Sequence, residues 1–531
     1  MVVKSPWPSV MPIPEIPVYR LIEETAERLP DKTCMIFVDG RQFTFSELAE
    51  AIDRFAAGLS ELGVRKGDVV AIDMPNAPEY VIAFHGILKA GATVTTLNPL
   101  YTEREVNYQF NDAGVKAAVT VEPLLPVIEA AGKDSPLEEI IVVGLSKERE
   151  GVHDFWKLIK SASGGGGPDV VFNAKEDVAV LPYSSGTTGL PKGVMLTHYN
   201  LVANVKQTIG TGEIEESDVV LAFLPFFHIY GMTVLMNVVL AAGATIVIMP
   251  KFEMEQFLSL IEKHKVTKTY IAPPVALGMT LYPRLKEYDL SSLVSITSAA
   301  APLPLEVGRK LQEMLPHVIV KQGYGMTETS PVVTLSPLDR EKVKLESVGW
   351  PIPDTQLKIV SLDDPSKTLP IGEAGELAIK GPQVMKGYLN REEETKEVLT
   401  EDGWYLSGDI AKLDEEGYLY ILDRKKEMIK YKGYQIAPAE LESILLSHPD
   451  VADAAVIPKP DVEAGEIPKA FVVLKPGSKV SAEELLEFVA EKVAPYKKIR
   501  EIELVEQIPK SATGKILRRV LIEEERRRAQ G

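Results

Sequence analysis

Two copies of one short phrase constrain the architecture of this chain more than anything else in it. Residues 90–94 read AGATV and residues 242–246 read AGATI, each directly after an apolar helical pattern. Glycine ends a helix by adopting backbone angles that other residues resist, and a β-branched run after it favours a buried strand. Two such units predict two related α/β layers packed together. Helical patterns at residues 47–63, 78–90 and 254–264 alternate with strand runs at 69–72 and 178–183. That alternation predicts β-sheets covered by helices.

One apolar run, residues 231–249, approaches membrane length. Asn237 near its centre and the Ala-Ala-Gly-Ala break predict instead a buried helix, a turn at Gly243 and a strand. Residues 161–169, SASGGGGPD, read as a surface connection. The texture changes near residue 420, where a charged turn, DRKKEMIKYKGYQI, occupies residues 423–436. A capped helix from Ala437-Pro438, strands at 454–457 and 470–474, a helix at 482–493 and a charged helical tail follow. These predict a small α+β C-terminal domain over residues 423–531, joined to a large domain of residues 1–422 at 423–426.

With 58 Lys and Arg against 76 Asp and Glu, the formal charge of −18 excludes nucleic acid as a default partner. The single cysteine, Cys34, rules out an intrachain disulfide framework or a cysteine metal cluster and reads as an ordinary buried thiol. A proline-rich start without an apolar core is no signal peptide, and RRRAQG matches no carboxyl-terminal targeting signal, so the cytoplasm is expected.

Chemistry concentrates in five stretches. After the strand run at 178–183 comes Ser184-Ser185-Gly186-Thr187-Thr188-Gly189-Leu190-Pro191-Lys192-Gly193. Hydroxyls and glycine-permitted backbone N–H groups cradle phosphate oxygens, and a lysine neutralises them. The loop is nevertheless no Walker A motif, which requires Lys directly after Gly and Ser or Thr directly after Lys. Here Lys192 follows Pro191 and precedes Gly193.

The second stretch, QGYGMTE at residues 322–328, offers Gly323 and Gly325 for close backbone approach to a ligand. Tyr324 supplies a flat face for a base, Thr327 a hydroxyl for phosphate, and Glu328 a hard oxygen ligand for Mg²⁺. Upstream, SAAAP at 298–302 leaves room for a planar ring. In WYLSGD, residues 404–409, the Asp409 carboxylate suits two ribose hydroxyls, and equally reads as a turn aspartate. The charged run at 423–435 and PKSATGKILR at 509–518 complete the set, with Lys515 just past a Ser-x-Thr-Gly turn.

In this order and spacing, from about Tyr19 to Arg519, the motifs resemble the AMP-forming adenylating superfamily of acyl-CoA synthetases, luciferases and peptide-synthetase adenylation domains. PFFHIYG, QGYGMTE and YKGYQIAPAELE are most similar to 4-coumarate–CoA ligases and fatty acyl-CoA synthetases. The resemblance implies a large domain of two helix-covered sheet subdomains plus a small sheet or barrel, with a mobile C-terminal domain. It implies attack of a carboxylate on ATP to give acyl-AMP and pyrophosphate, then thioester formation with CoA.

By the same resemblance, Ser184, Ser185, Gly186, Thr187, Thr188, Gly189 and Lys192 hold the β,γ-phosphates. Ala300, Gln322, Gly323 and Tyr324 frame adenine, Thr327 meets the α-phosphate, and Glu328 with Thr188 binds Mg²⁺. Asp409 and Arg424 take the ribose. Lys515 is the adenylation lysine and Lys426 the hinge, after whose rotation Lys430, Lys432, Gly433 and Gln435 approach acyl-AMP and CoA. Lys251 matches a CoA-phosphate position, while His228, Tyr230 and Gly325 belong to the acyl site.

Where 4-coumarate ligases place Ser, this chain has Val234, so the expected substrate is a medium- or long-chain fatty acid, with an aryl acid such as a hydroxycinnamate second. A luciferase and an amino-acid adenylation domain are the remaining alternatives; the latter requires an acidic residue where His228-Ile229 stand. A homodimer is left open.

Overall fold

A computed structural model describes residues 1–162, 167–184, 191–425, 427–431, 434–461, 464–493, 495–511 and 514–530 of the chain. The predicted connection at 161–169 therefore lies partly outside the described residues. Four sheets organise the molecule. The first has nine strands. Its order is Tyr183–Ser184, Lys192–Thr197, Val178–Leu181, Thr93–Thr96, Val69–Asp73, Val115–Val121, Glu139–Val143 and Val152–Asp154, with Gly387–Tyr388 paired onto Lys192–Thr197.

The second sheet, also nine-stranded, runs Trp350–Pro351, Val332–Leu335, Ile319–Gly325, Ser295–Ser298, Lys268–Ile271, Val219–Ala222, Thr245–Ile248, Thr33–Phe37 and Gln42–Thr44. In both sheets the central strands are parallel and covered by helices. Their apolar side chains share one large core.

The duplicated phrase marks a duplicated unit. Strand Val69–Asp73, helix Pro78–Lys89 and strand Thr93–Thr96 repeat as strand Val219–Ala222, a buried helix, and strand Thr245–Ile248. In each unit the returning strand pairs parallel to the first. Gly91 and Gly243 close the two helices at φ 83° and 80°, the left-handed region that glycine enters without steric cost. The units also grip one another: Asn76 donates to the Leu224 carbonyl (2.9 Å) and accepts from Phe226 N–H (2.7 Å). Thr96 Oγ1 donates to the Phe227 carbonyl (2.7 Å). Segment 224–228 is thereby held against the first sheet.

Two local features depart from the sequence pattern. The run at 178–183 stops at Leu181, because Pro182 has no N–H for the ladder, and Tyr183–Ser184 turns to pair with Lys192 and Gly193. The buried helix is a wide π-turn over Tyr230–Val238 before it tightens at Val239–Ala241. There the Asn237 side-chain Nδ2 donates to the Met232 carbonyl five residues back (2.9 Å). No helix among the described residues is long and apolar enough to cross a membrane.

A third sheet of five antiparallel strands, Val3–Lys4, Gln356–Val360, Gly375–Lys380, Tyr405–Leu413 and Leu419–Arg424, closes the large part. Its last strand leads directly into the fourth sheet, formed by Tyr434–Ile436, Ile429–Tyr431, Gly465–Leu474, Val451–Asp461 and Glu501–Leu504. Helices Pro438–Leu446 and Ala482–Ala490 pack on that sheet over a separate apolar cluster, and the tail is helix Arg518–Gln530. Cys34 is buried, with its thiol donating to the Phe43 carbonyl, and burial pushes its pKa up.

Gly231 is the tightest point of the π-turn, since a Cβ there would stand 2.1 Å from the Pro225 carbonyl oxygen. Gly231→Ala is expected to destabilise the protein by at least about 1–3 kcal/mol, the usual cost of overpacking, seen as a lowered melting temperature. Unchanged melting would show that segment 224–228 yields freely.

Candidate active site

The C-terminal ends of strands Ser295–Ser298 and Ile319–Gly325 lie side by side and form one edge of the candidate site. Ala300, in the turn after the first strand, takes φ 71°. Gln322 holds that turn: its Oε1 accepts from Leu303 N–H (3.1 Å) and its amide donates to the Leu345 carbonyl (2.6 Å). Gly323 and Gly325 also meet close neighbours within the protein. A Cβ on Gly325 would fall 2.2 Å from the Pro331 carbonyl oxygen, and one on Gly323 would press Leu335 at 3.1 Å. Close pairing with strand Val332–Leu335 requires glycine at 325 and leaves only tight space for a side chain at 323.

Tyr324 donates its hydroxyl to Asp409 Oδ2 (2.5 Å), and Arg424 Nε stands 3.5 Å from Asp409 Oδ1. Asp409 is only 5% exposed, and burial raises its pKa against the opposing pull of Arg424. Tyrosine, aspartate and arginine thus form one chain of contacts spanning the second and third sheets.

On the other side, Thr327 opens a short 3₁₀ turn, Thr327–Thr329, that presents Glu328. Glu328 Oε1 accepts from Ser184 Oγ (3.2 Å) and from the Tyr388 hydroxyl (3.0 Å). Lys192 stands 5.1 Å over the Tyr388 ring and pairs with Glu394. Ser184 and Lys192 are cross-strand partners, so the two ends of the glycine-rich loop are fixed beside Glu328. Ser185, Gly186, Thr187, Thr188 and Gly189 between them lie outside the described residues. Tyr388 and Glu394, which complete this corner, gave no signal in the sequence; their role depends on the pairing of Gly387–Tyr388 with Lys192–Thr197.

Lys515, from the C-terminal part, lies near Asp409 and Arg424. Its turn is closed by Ser511 N–H to the Lys515 carbonyl (2.8 Å) and by Gly514 N–H to the Ser511 carbonyl (2.8 Å). Gly514 has φ 81° and lies so close to the start of helix Pro273–Leu281 that a Cβ would be 2.9 Å from Pro274. The ammonium lies among Arg424, Glu427 and Asp409; burial and the Arg424 charge lower its pKa to about 8. His228 feels the same cation, and burial with Lys515 lowers its pKa to about 4. Its Nδ1 accepts from Tyr230 N–H (3.2 Å), so the neutral ring carries its proton on Nε2. Tyr230 is buried beside it, with its hydroxyl 3.4 Å from the Thr297 carbonyl.

Other expected residues stand apart. Lys430 is exposed on strand Ile429–Tyr431 of the fourth sheet. Lys251 is exposed beyond strand Thr245–Ile248. Lys426, Lys432, Gly433 and the Gln435 side chain lie outside the described residues.

A buried ionic layer beneath Tyr230 escaped the sequence analysis. Tyr270, Thr297 and Lys321 are register partners on three adjacent strands. Glu213 caps this row, accepting from Lys321 Nζ (2.5 Å), the Tyr270 hydroxyl (3.0 Å) and Thr297 Oγ1 (3.2 Å). Lys268 adds bonds to the Glu213 carbonyl (2.6 Å) and to Asp218 (2.7 Å). In sequence these are scattered single charges; only strand register joins them. Removing one partner strands the other charge in the core, so Glu213→Ala is expected to cost about 3–5 kcal/mol, measured by chemical denaturation. A loss under about 1 kcal/mol would show that water reaches the pair.

These sites belong to a known family. Residues 22–389 match the AMP-binding enzyme family and residues 440–515 match the AMP-binding enzyme C-terminal domain. The chain belongs to the AMP-binding enzyme family. It is 39% identical over 527 residues to 4-coumarate–CoA ligase CCL1 of Humulus lupulus, covering 98% of this chain and 95% of that protein. It is 40% identical over 537 residues to probable 4-coumarate–CoA ligase 1 of Dictyostelium discoideum, covering 97% and 96%.

Among solved structures, the anthranilate CoA ligase AuaEII in complex with anthranoyl-AMP superposes with a TM-score of 0.88 at 29% identity, covering 98% of this chain and 99% of that one. ATP-bound MatB from Rhodopseudomonas palustris gives 0.87 at 28% identity, covering 96% and 99%. The α/β architecture with its C-terminal domain is that of these enzymes.

Proposed function

We propose that this chain is an AMP-forming aryl-acid–CoA ligase, which activates a carboxylic acid with ATP as an acyl-AMP and passes the acyl group to CoA. The observation that carries the reading is the placement of Lys515 in one cleft with Asp409, Arg424 and His228, on a chain similar over nearly its whole length to CoA ligases. The relatives favour an aryl acid over the fatty acid expected from Val234. Two are named 4-coumarate–CoA ligases, and the structural neighbours include anthranilate and benzoate CoA ligases. Val234, buried on the π-turn, then holds the ring by apolar contact.

In the first half-reaction, the Tyr324 face and the Ala300 turn frame adenine while Gln322 braces that turn. Asp409, aimed by Tyr324 and Arg424, takes the ribose hydroxyls. Lys515 places its ammonium between the acid carboxylate and the α-phosphorus, where negative charge builds as pyrophosphate leaves. Thr327 meets the α-phosphate, and Lys192 exchanges Glu394 for the β,γ-phosphates alongside the 184–192 loop.

Glu328 is suited to Mg²⁺. It presents a carboxylate with one oxygen fixed by two hydroxyls, and no lysine, arginine or histidine nitrogen pairs with it within 4.0 Å among the described residues. Mg²⁺ favours one or two carboxylates plus phosphate oxygens, and when bound there it would offset phosphate charge. For the second half-reaction, the C-terminal domain turns about Lys426, withdrawing Lys515 and bringing Lys430, Lys432, Gly433 and Gln435 to acyl-AMP and CoA, with Lys251 toward the CoA phosphate. The exposure of Lys430 while Lys515 occupies the cleft supports this exchange.

Pyrophosphate release measured over a panel of aryl acids and of fatty acids from two to eighteen carbons, with and without CoA, tests the reading. Highest kcat/KM for an aryl acid, with thioester formed only when CoA is present, is expected. A fatty acid preferred over every aryl acid would return the substrate to the alkyl class. Lys515→Ala is expected to lower pyrophosphate release about a hundredfold or more while sparing thioester formation from supplied acyl-AMP. Equal loss of both half-reactions would contradict domain exchange.

The lysine charge also sets the pH profile. Lys515 is protonated below about 8 and neutral above it, so kcat/KM for ATP is expected to be flat below that pH and to fall above it. Lys515→Arg, whose charge persists, should remove the descending limb even if its rate is lower. A limb unchanged in that variant would assign it to another group.

A further inference from the structure

Strand pairing beside Asp409 is irregular. On strand Gly375–Lys380, Glu376 faces Ile410 and Ala378 faces Leu406, so two steps on one strand oppose four on the other. The surplus is a bulge at residues 407–409, with Gly408 at φ 72°. A bulge takes backbone groups out of the ladder and re-aims the side chain beside it. Here it points Asp409 at Tyr324 and Arg424.

The groups that the bulge removes from the ladder are met in an unusual way. Gly408 N–H donates to Glu376 Oε1 (3.1 Å), and the Gly408 carbonyl accepts from Lys425 N–H (2.8 Å). Glu376 is 4% exposed, and its second oxygen accepts from Lys425 Nζ (2.8 Å). One buried carboxylate therefore holds both the turn that carries Asp409 and the first residue after strand Leu419–Arg424, where the chain leaves for the fourth sheet. The neighbouring Asp423 reaches further and accepts from Ala439 N–H (2.9 Å) at the start of helix Pro438–Leu446.

We propose that Glu376 is a positioning residue for the nucleotide site: one oxygen fixes the Gly408 bulge that aims Asp409, and the other anchors Lys425 at the exit toward the C-terminal domain. The proposal rests on the reading of Asp409 as the ribose carboxylate. It assigns separate tasks to the two oxygens, and two substitutions separate them. Glu376→Gln keeps an acceptor for Gly408 N–H but loses the charge that holds Lys425. Glu376→Ala loses both.

The full-length enzyme is assayed in separate half-reactions, with folding checked by circular dichroism. Glu376→Ala is expected to raise KM for ATP in pyrophosphate release about tenfold, leaving KM for the acid within about twofold. Glu376→Gln should keep KM for ATP within about twofold of the parent. Glu376→Gln and Lys425→Met should both raise the ratio of thioester formation from supplied acyl-AMP to adenylation, by about threefold or more, because the exit segment is released.

An unchanged KM for ATP in folded Glu376→Ala, or an equal rise in Glu376→Gln, would overturn the bulge assignment. Unchanged half-reaction ratios in both Glu376→Gln and Lys425→Met would overturn the anchor, and they decide the matter if Glu376→Ala does not fold. Asp409→Ala is the control. If it leaves KM for ATP unaltered, the ribose reading itself has failed rather than the role of Glu376.

Discussion

The cleft depends on bringing one ammonium group from a small domain into the charge field of a large one. Lys515 sits among Arg424, Glu427 and Asp409, where burial and a neighbouring cation make its positive charge costly. That cost is what a bound polyanion removes, because phosphate oxygens favour the protonated lysine. A lysine anchored permanently within the large domain could do the same for ATP. Lys515 stands instead on a turn of the C-terminal part that packs against Pro274, so the proposed domain exchange would let one site present different groups to successive reactants.

The large part supplies rigidity to match. Two parallel sheets built from repeated strand–helix–strand units lock together through Asn76 and Thr96, and a buried ionic layer around Glu213 fixes the strand ends that lead into the Ala300 and Tyr324 walls. The third sheet bulges to aim Asp409, and the glycine-rich loop springs from a strand interrupted at Pro182. Each wall is thus carried by the C-terminal end of a strand or by a local break in one. Such positions leave backbone groups and side chains free for ligands without disturbing the core.

Much of this was legible in the sequence because it depends on local physics. The AGATV and AGATI phrases announced the repeated unit, since a helix ending on glycine before a β-branched run has few other readings. The motifs and their resemblance pointed to Lys515, Asp409, Arg424, Glu328 and Tyr324, which the structure brings into one region. What escaped was long-range. Glu213 meets Lys321 only through strand register, Tyr388 reaches Glu328 through an added strand, and Glu376 matters because its strand pairs with the bulged end of the WYLSGD stretch. At Gly325 the fold adds a constraint that the sequence did not announce, since the Pro331 carbonyl leaves no room for a side chain. The preference for a fatty acid rested on Val234, and one residue weighs less than similarity across the whole chain.

The central claim is that the acid carboxylate attacks the α-phosphorus of ATP in the cleft that Lys515 enters. Incubating the enzyme with ATP and an aryl acid labelled with ¹⁸O in its carboxyl group, then converting the adenylate to thioester with CoA, tests this directly by mass spectrometry of the products. One labelled oxygen recovered in AMP, with unlabelled pyrophosphate, is the predicted result. Label in pyrophosphate or free phosphate, or ADP as the nucleotide product, would contradict it.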